Sequence, residues 1–502
     1  MAQRQRKATK GIYHKDIDTI DKYLSWGIVL MVLLLPLILH AKSGVFISPS
    51  LQSGVESGLK GEIYNGYKSN FLVMMASVLM LLLAIKVLIY RYPLKKTILN
   101  PLLILLAVGL LVSLVFAEYK SVALYGYFSR REGTLTWLCY LAIFFVSINT
   151  HFPARMIKWL INGLAIMTGI NLIIGLSAFA GHNLLDWPLL RNLIIPPGMP
   201  FEAGGIIRST LANPNYVSGL FAALTLFFLL LAVYEPDRKR RIFLLTCSAA
   251  AFVLVLTALS SSGFMALIIT LPLALYLILF RGSSRTTLIT IGIMAASLTV
   301  LWFYFNTYQP LILVEAWQRP LAEIQAVKEY TANPPAWEPD PDNPLSLPPS
   351  GSAPLSGRLY IWQETLQLIK EKPLTGYGLD TLVFYFPQND PLKRLHLFAY
   401  DRVLDKPHNF FLEIAYGSGI PALIIFMCIQ AIVFIRVWTC FRQNNKPEGA
   451  NIAFLPAYLV FLIAFLLQGL VNDSVIGSSV IFWVLSGIAV NIVYSTTETA
   501  KA

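Results

Sequence analysis

Residues 71–90 read FLVMMASVLMLLLAIKVLIY, twenty positions that carry a single charge, Lys86. As a helix this run is long enough to cross the roughly 30 Å hydrocarbon layer of a bilayer. Lipid offers the backbone no water, so the segment must close its own hydrogen bonds, and a helix is predicted. Working outward, eleven more apolar runs of this kind follow the same logic: 24–40, 98–117, 133–150, 156–180, 216–234, 241–260, 263–280, 287–306, 409–435, 452–471 and 475–494. The chain therefore reads as an all-α polytopic membrane protein with about twelve transmembrane helices and a large extracytoplasmic loop between the ninth and tenth. Its composition agrees, since 56% hydrophobic and 13% charged residues over 502 positions do not suit a soluble globule.

The first run follows a basic leader (Arg4, Arg6, Lys7, Lys10), as a signal peptide would. No small-x-small cleavage site follows it and eleven further runs do, so a retained first helix is expected. Orientation comes from Lys and Arg in short loops. The N-terminus, the loops near 91–96, 155–158, 238–241, 281–285 and 436–446, and the C-terminus hold 21 of the 39 basic residues. The short loops of the other side hold 8: Lys42, Lys60, Lys68, Lys120, Arg130, Arg131, Arg191 and Arg208. Both termini are then cytoplasmic, as tails 1–23 and 495–502. Helices 1–9 occupy 24–306, the extracytoplasmic loop 307–408, and helices 10–12 occupy 409–494. The +12 net charge is distributed over cytoplasmic loops as insertion requires, which argues against a nucleic-acid partner. The four cysteines (Cys139, Cys247, Cys428, Cys440) form no readable disulfide framework, zinc spacing or nucleophile pattern.

Within 307–408, the segment 333–354 contains eight prolines and reads as an extended linker. Ser356 then offers an N-cap. Leu359, Trp362, Leu366 and Ile369 fall at helical spacing before Pro373, so an amphipathic helix is predicted over 357–372. Such a helix could lie on the outer leaflet or pack on the bundle. No internal repeat of the transporter kind is visible.

Only Glu413 among the 27 acidic residues falls within a predicted span, about a turn from its outer end. Lys86 is close enough to Arg91 to snorkel. Ion-coupled carriers keep carboxylates near the midplane, so proton- or sodium-driven transport is disfavoured. A flippase or exporter of a lipid-linked glycan stays open, because interfacial cations could line its cavity. Arginines gather on the outer side: Arg130, Arg131, Arg191, Arg208, Arg358 and Arg402. Those beside helix starts, in Tyr127–Gly133 and Arg208–Asn215, suit an anionic lipid head such as a diphosphate, or equally phospholipid anchoring. Asp340-Pro341-Asp342 has the D-x-D form of metal-using transferases but sits among prolines. Tyr377 could contact sugar or pack on the bundle.

The ordered series Arg358-Leu359-Tyr360-Ile361-Trp362, Pro373-Leu374-Thr375-Gly376-Tyr377-Gly378, Pro407-His408-Asn409-Phe410-Phe411-Leu412-Glu413 and Gly417-Ser418-Gly419-Ile420-Pro421 resembles the O-antigen ligase and O-antigen polymerase family. The Arg208-to-Asn215 segment is similar to that family's G-x-x-x-N-P-N element. The resemblance implies glycan transfer from a polyprenyl (undecaprenyl) diphosphate carrier to a lipid, glycan or protein acceptor hydroxyl, on the outer face of the cytoplasmic membrane. Lipid A–core ligation, repeat-unit polymerisation and protein O-glycosylation all fall within it. It further implies metal-independent, inverting chemistry without a cofactor, His408 as the catalytic base, and Arg358 as a diphosphate ligand. Arg208, Arg130, Arg131, Asn213, Asn215 and Asn409 complete the expected donor site. One departure stands out. Where the family often has an arginine, the turn here reads Ser260-Ser261-Ser262-Gly263, so Arg208 or the Arg130-Arg131 pair is expected to supply that charge.

Overall fold

The computed structural model describes residues 2–46, 48, 57–199, 209–280, 285–333, 341–342, 353–390, 403–443 and 450–499. Each of the twelve predicted apolar runs is helical over most of its length. Among the described residues, ten helices are long and apolar enough to cross a membrane: Lys15–Leu37, Gly66–Leu88, Leu99–Phe116, Ala154–Phe179, Pro214–Tyr234, Arg238–Thr257, Ser261–Phe280, Thr287–Tyr308, Phe410–Gln443 and Ile476–Thr496. Thr134–Asn149 and Ala453–Gly469 are shorter apolar helices. This is a multi-pass membrane protein.

The helices are not equivalent. Pro214–Tyr234 and Ile476–Thr496 are enclosed by their neighbours and form the centre of the bundle. Pro214–Tyr234 packs on Arg238–Thr257, Ser261–Phe280 and the helix ending at Gly469, while the last helix packs on Thr134–Asn149. Thr287–Tyr308 lies at the periphery, with few of its residues buried. Apolar side chains on the bundle exterior, such as Leu88, Ile104 and Phe303, suit a lipid solvent, in which they need no protein cover.

Four features depart from the sequence reading. A short antiparallel hairpin, Lys42–Phe46 with Gly58–Glu62, follows the first helix, with Lys42 opposite Glu62. The start of the 307–408 region is helical over Leu311–Leu313 and Arg319–Ala332, joined by a π-turn at Val314–Gln318. The predicted helix over 357–372 forms as Arg358–Glu371, but its cap is Gly357 in the left-handed region (φ 81°), not the Ser356 side chain. Its inner face is Tyr360, Ile361, Thr365 and Ile369, while Leu366 points outward. The face turned because these residues seat on Tyr377, Phe386, Ala415 and Tyr416. The linker over 333–354 and the Asp340-Pro341-Asp342 element lie largely outside the described residues.

Lys86 does not snorkel. Its ammonium is fully buried and donates to Asp21 Oδ1 at 2.7 Å and to the Asn149 carbonyl at 3.1 Å, while Asp21 also accepts from the His151 amide. A buried ion pair becomes a liability when one partner is removed, by about 3–5 kcal/mol, whereas an apolar replacement of both is close to neutral. Lys86→Met or Asp21→Leu alone should lower the melting temperature in detergent well below that of the double variant. If the double variant melts at or below the worse single variant, the pair is a net stabiliser and this account fails.

Candidate active site

Three residues that the sequence places far apart converge at one end of the bundle. His408 heads the helix that begins at Phe410, and its backbone is held at φ 53°, a conformation few side chains other than glycine adopt. Its Nδ1 lies 2.9 Å from Oδ2 of Asp473, which sits in the turn before the last helix. A carboxylate only accepts, so Nδ1 carries a proton, and in the neutral ring Nε2 is then the acceptor nitrogen. Burial alone would push the Asp473 carboxyl up. The opposing charge and hydrogen bond of His408, with Arg130 and Lys406 nearby, instead hold it below the usual carboxylate range. Tyr216, in the first turn of the Pro214–Tyr234 helix, donates to the same oxygen at 3.4 Å and receives a bond from Lys406 Nζ at 3.1 Å.

The strained turn is fixed from two sides. Trp362 Nε1 donates to the Pro407 carbonyl at 2.9 Å, so the R-x-x-x-W spacing puts the indole one helical turn from Arg358 and against the histidine loop. Asn409 caps the next helix: its Oδ1 accepts from the Phe411 and Leu412 amides, each at 3.0 Å, and its Nδ2 donates to the Leu470 carbonyl at 2.9 Å. The side chain expected at substrate is thus engaged in holding the turn.

His408 and Arg358 line one cavity of about 830 Å³ with Asn213, Asn215, Ser260, Ser261 and Ser262. Asn213 is the N-cap of the helix that begins at Pro214 and accepts from the Asn215 amide at 2.8 Å, while Asn215 Oδ1 accepts from Ser260 Oγ at 2.6 Å. The Arg319–Ala332 helix covers the other side, contributing Arg319, Glu323 and Lys328. Leu259, Leu355 and Ser356 also line this cavity, and like His408 each has positive φ. Local strain therefore gathers around one space. Arg319 pairs with Glu315, and Glu323 accepts from the Leu355 amide. Arg358 differs: its guanidinium makes only a long contact, 3.4 Å, to the Leu355 carbonyl, and its buried Nε has no partner among the described residues. Burial lowers the Arg358 pKa from its ordinary value, an effect that Asp473 offsets. An arginine stays charged through such changes. Among the described residues, the cations that share this cavity with the arginine-free Ser260–Ser262 turn are Arg358, Arg319 and Lys328.

Arg130 has a different fate. It is buried, with Nε 2.9 Å from Asp380 Oδ1 and Nη2 on Glu413 Oε1. Asp380 accepts from the Tyr127 amide at 2.7 Å and the Glu132 amide at 3.2 Å, and Glu413 accepts from the Ser474 amide at 3.2 Å. The guanidinium so crosslinks the Tyr127–Glu132 turn, the Asp380 loop and the Phe410–Gln443 helix, and Glu413 serves Arg130 and Ser474 rather than the histidine. Arg131 is half-buried, 6.0 Å from the Phe128 ring. Arg191 is exposed, and Arg208 and Arg402 lie outside the described residues. Among the described residues no group of three or more His, Cys, Asp or Glu is placed to hold a metal.

A second cavity, of about 320 Å³, lies beyond Tyr216 and Lys406. It is lined by Gly61 and Glu62 at the end of the hairpin, by Ile63, Tyr64 and Asn65 after it, and by Arg130, Asn213 and Ser474. Asn213 lines both cavities.

Asp473, Tyr216 and Lys406 carry no role in the sequence reading, and Trp362 stands there only as a motif residue. Asp473 left one trace there, an acid in a short polar turn, Asn472-Asp473-Ser474, between two apolar runs.

Glu132, beside this network, accepts from Tyr140 Oη at 2.9 Å and Ser474 Oγ at 3.0 Å. Burial pushes its carboxyl up to about 7 despite Arg130 and those two bonds. The folded chain then retains a proton that the unfolded chain releases near pH 4, so Glu132 costs stability as pH rises from about 4 to about 7. Glu132→Gln should remove that cost. Its melting temperature relative to the parent should climb between pH 5 and pH 8, and parallel curves would show that Glu132 titrates normally.

Residues 246–427 match the sequence model of a family described as O-antigen ligase. Two curated proteins, from Rickettsia felis and Rickettsia conorii, are each named, provisionally, as a polysaccharide ligase. Both are 27% identical to this chain over 131 residues, which is 26% of this chain and 29% of each relative. The match therefore spans less than a third of the relatives' length. The matched segment contains Arg358, Trp362, the Pro373–Gly378 element, His408 and Gly417–Pro421, so over residues 246–427 this chain is similar to the O-antigen ligase family.

Proposed function

We propose that the chain transfers a glycan from a polyprenyl diphosphate carrier to an acceptor hydroxyl on the extracytoplasmic side of the cytoplasmic membrane. The observation that carries this reading is the pairing, in one cavity, of a guanidinium with no carboxylate partner among the described residues and an imidazole braced by a buried carboxylate. The first is a ready ligand for a phosphate, and the second presents a ring nitrogen that can take a proton from a hydroxyl.

In the reaction, the acceptor oxygen attacks the anomeric carbon while the bond from that carbon to the diphosphate oxygen breaks. The hydroxyl proton passes to Nε2 of His408, and the imidazolium so formed is countered by Asp473. The lipid diphosphate departs with the bonding electron pair, and Arg358 offsets its charge, with Arg319 and Lys328 on the same cavity wall. Attack opposite the leaving group inverts the anomeric centre. Asp473 holds the histidine in the tautomer that leaves Nε2 able to accept.

Membranes that hold each variant, supplied with lipid-linked glycan, test this scheme. His408→Ala should lower transfer by about 10²–10⁴-fold, the usual value of a positioned general base. Asp473→Asn should lower it by about a hundredfold, because either tautomer then becomes acceptable. Arg358→Ala should remove transfer and Arg358→Lys restore only part of it, since an ammonium loses the bidentate fork. Transfer that persists in His408→Ala would end its role as base. Movement of lipid-linked glycan across the bilayer without transfer would favour a flippase.

A further inference from the structure

The second cavity shares Asn213 with the cavity of His408 and is lined in addition by Tyr216, Lys406, Glu62 and Asn65. We propose that it is a saccharide subsite, in which one or two sugar rings sit while the reaction takes place next door. The assignment rests on the transferase reading for the origin of the sugar, but its chemistry stands on the residues of the cavity.

Asn65 supplies the main observation. It is buried, 6% exposed, and its Nδ2 donates to the Ser129 carbonyl at 2.9 Å. Its Oδ1 is buried and has no hydrogen-bond partner among the described residues. A buried acceptor without a donor is costly to keep, and a ligand that brings a donor relieves it. Lys406, which lines the same cavity, has three N–H groups and gives one to Tyr216 Oη, so the cavity also offers donors. Rings of Tyr64 and Tyr216 line the same space.

Charge decides among ligand classes. A free phosphate or phospholipid head would find Lys406, yet would also face the Asn65 oxygen and the Glu62 carboxylate. Arg130 does little for an anion, since Asp380 and Glu413 already neutralise it. Glu62 lines the cavity and accepts from the amides of Tyr64, Asn65 and Gly66 at 2.5–2.7 Å, which fixes the position of its carboxyl group. An apolar chain would leave both Asn65 Oδ1 and Lys406 unsatisfied. A neutral polyhydroxyl ring meets every demand: its hydroxyls donate to Asn65, accept from Lys406, and its C–H face lies on tyrosine. The volume, about 320 Å³, falls at the small end of the roughly 300–1,000 Å³ typical of ligand pockets, which suits a short saccharide. Because Asn213 borders both cavities, a ring held here adjoins the reacting centre. The sugar belongs either to the acceptor or to the donor glycan near its diphosphate.

The test uses the full chain in a sugar-free detergent and ligand-observed saturation-transfer NMR, with glucose, galactose, N-acetylglucosamine and rhamnose as probes. At least one should bind saturably, and Asn65→Leu should weaken it roughly tenfold, the effect of losing one buried hydrogen bond. Asn65→Asp also loses the bond to Ser129 but keeps an acceptor, so it should bind like the parent. His408→Ala should bind like the parent as well. Displacement of the probe by lipid-linked glycan assigns the subsite to the donor, and displacement by an isolated acceptor glycan assigns it to the acceptor. The inference is overturned if no probe binds, if Asn65→Leu matches the parent, or if both Asn65 variants fail together, which would mark a structural role. Sugar binding without transfer in the parent would sink the transferase reading alone. Transfer that is indifferent to Asn65→Leu would sink the subsite alone.

Discussion

A carboxylate buried between two helices organises this end of the molecule. Asp473 accepts from His408 and Tyr216, and Lys406 stands behind the tyrosine, so one oxygen ties together three segments that lie between 65 and 257 residues apart in the chain. Burial makes this arrangement costly unless positive charge is close, and the nearby Arg130, Lys406 and His408 provide it. The same requirement accounts for the strained backbone at His408. The left-handed turn is tolerated because Trp362, the Asn409 cap and the bond to Asp473 each hold it in place.

Two arginines show how neighbours decide a role. Arg130 and Arg358 both read from the sequence as outer-face cations near helix starts. Arg130 folds inward onto Asp380 and Glu413 and becomes a crosslink within the core of the site. Arg358 stands at the first position of its helix, where it forms no ion pair among the described residues, and it lines a cavity instead. The structure therefore separates a guanidinium that holds the fold from one that is available to a ligand.

The glycine-rich motifs likewise serve the architecture. Gly376 has φ 65° and a side chain there would strike the Tyr416 carbonyl at 2.5 Å. Gly419, at φ 84°, interrupts the Phe410–Gln443 helix, and a Cβ would lie 2.2 Å from the Leu374 carbonyl. Into that interruption the Pro373–Gly378 segment donates and accepts: Tyr377 and Gly378 amides bond Tyr416 and Gly417 carbonyls, and the Ile420 amide bonds the Pro373 carbonyl. Tyr377 stacks on Tyr416 at 5.3 Å and donates to Glu371, so its packing role is plain. These bonds seat the helix that carries Arg358 and Trp362 against the helix that follows His408.

Hydrophobic run length by itself determined the helical membrane class and the approximate place of each apolar helix, because lipid leaves the backbone a single local solution. The motif order also made His408 and Arg358 legible as a pair. What the sequence did not contain is which face a helix turns, as at Leu366, or which charges meet, as in Arg130 with Glu413 and Lys86 with Asp21. Such partners come from distant segments and are chosen by packing, so no local pattern encodes them. Asp473 is the clearest case: an unremarked acid in a short turn became the group that orients the histidine only when the last helix was placed beside the tenth.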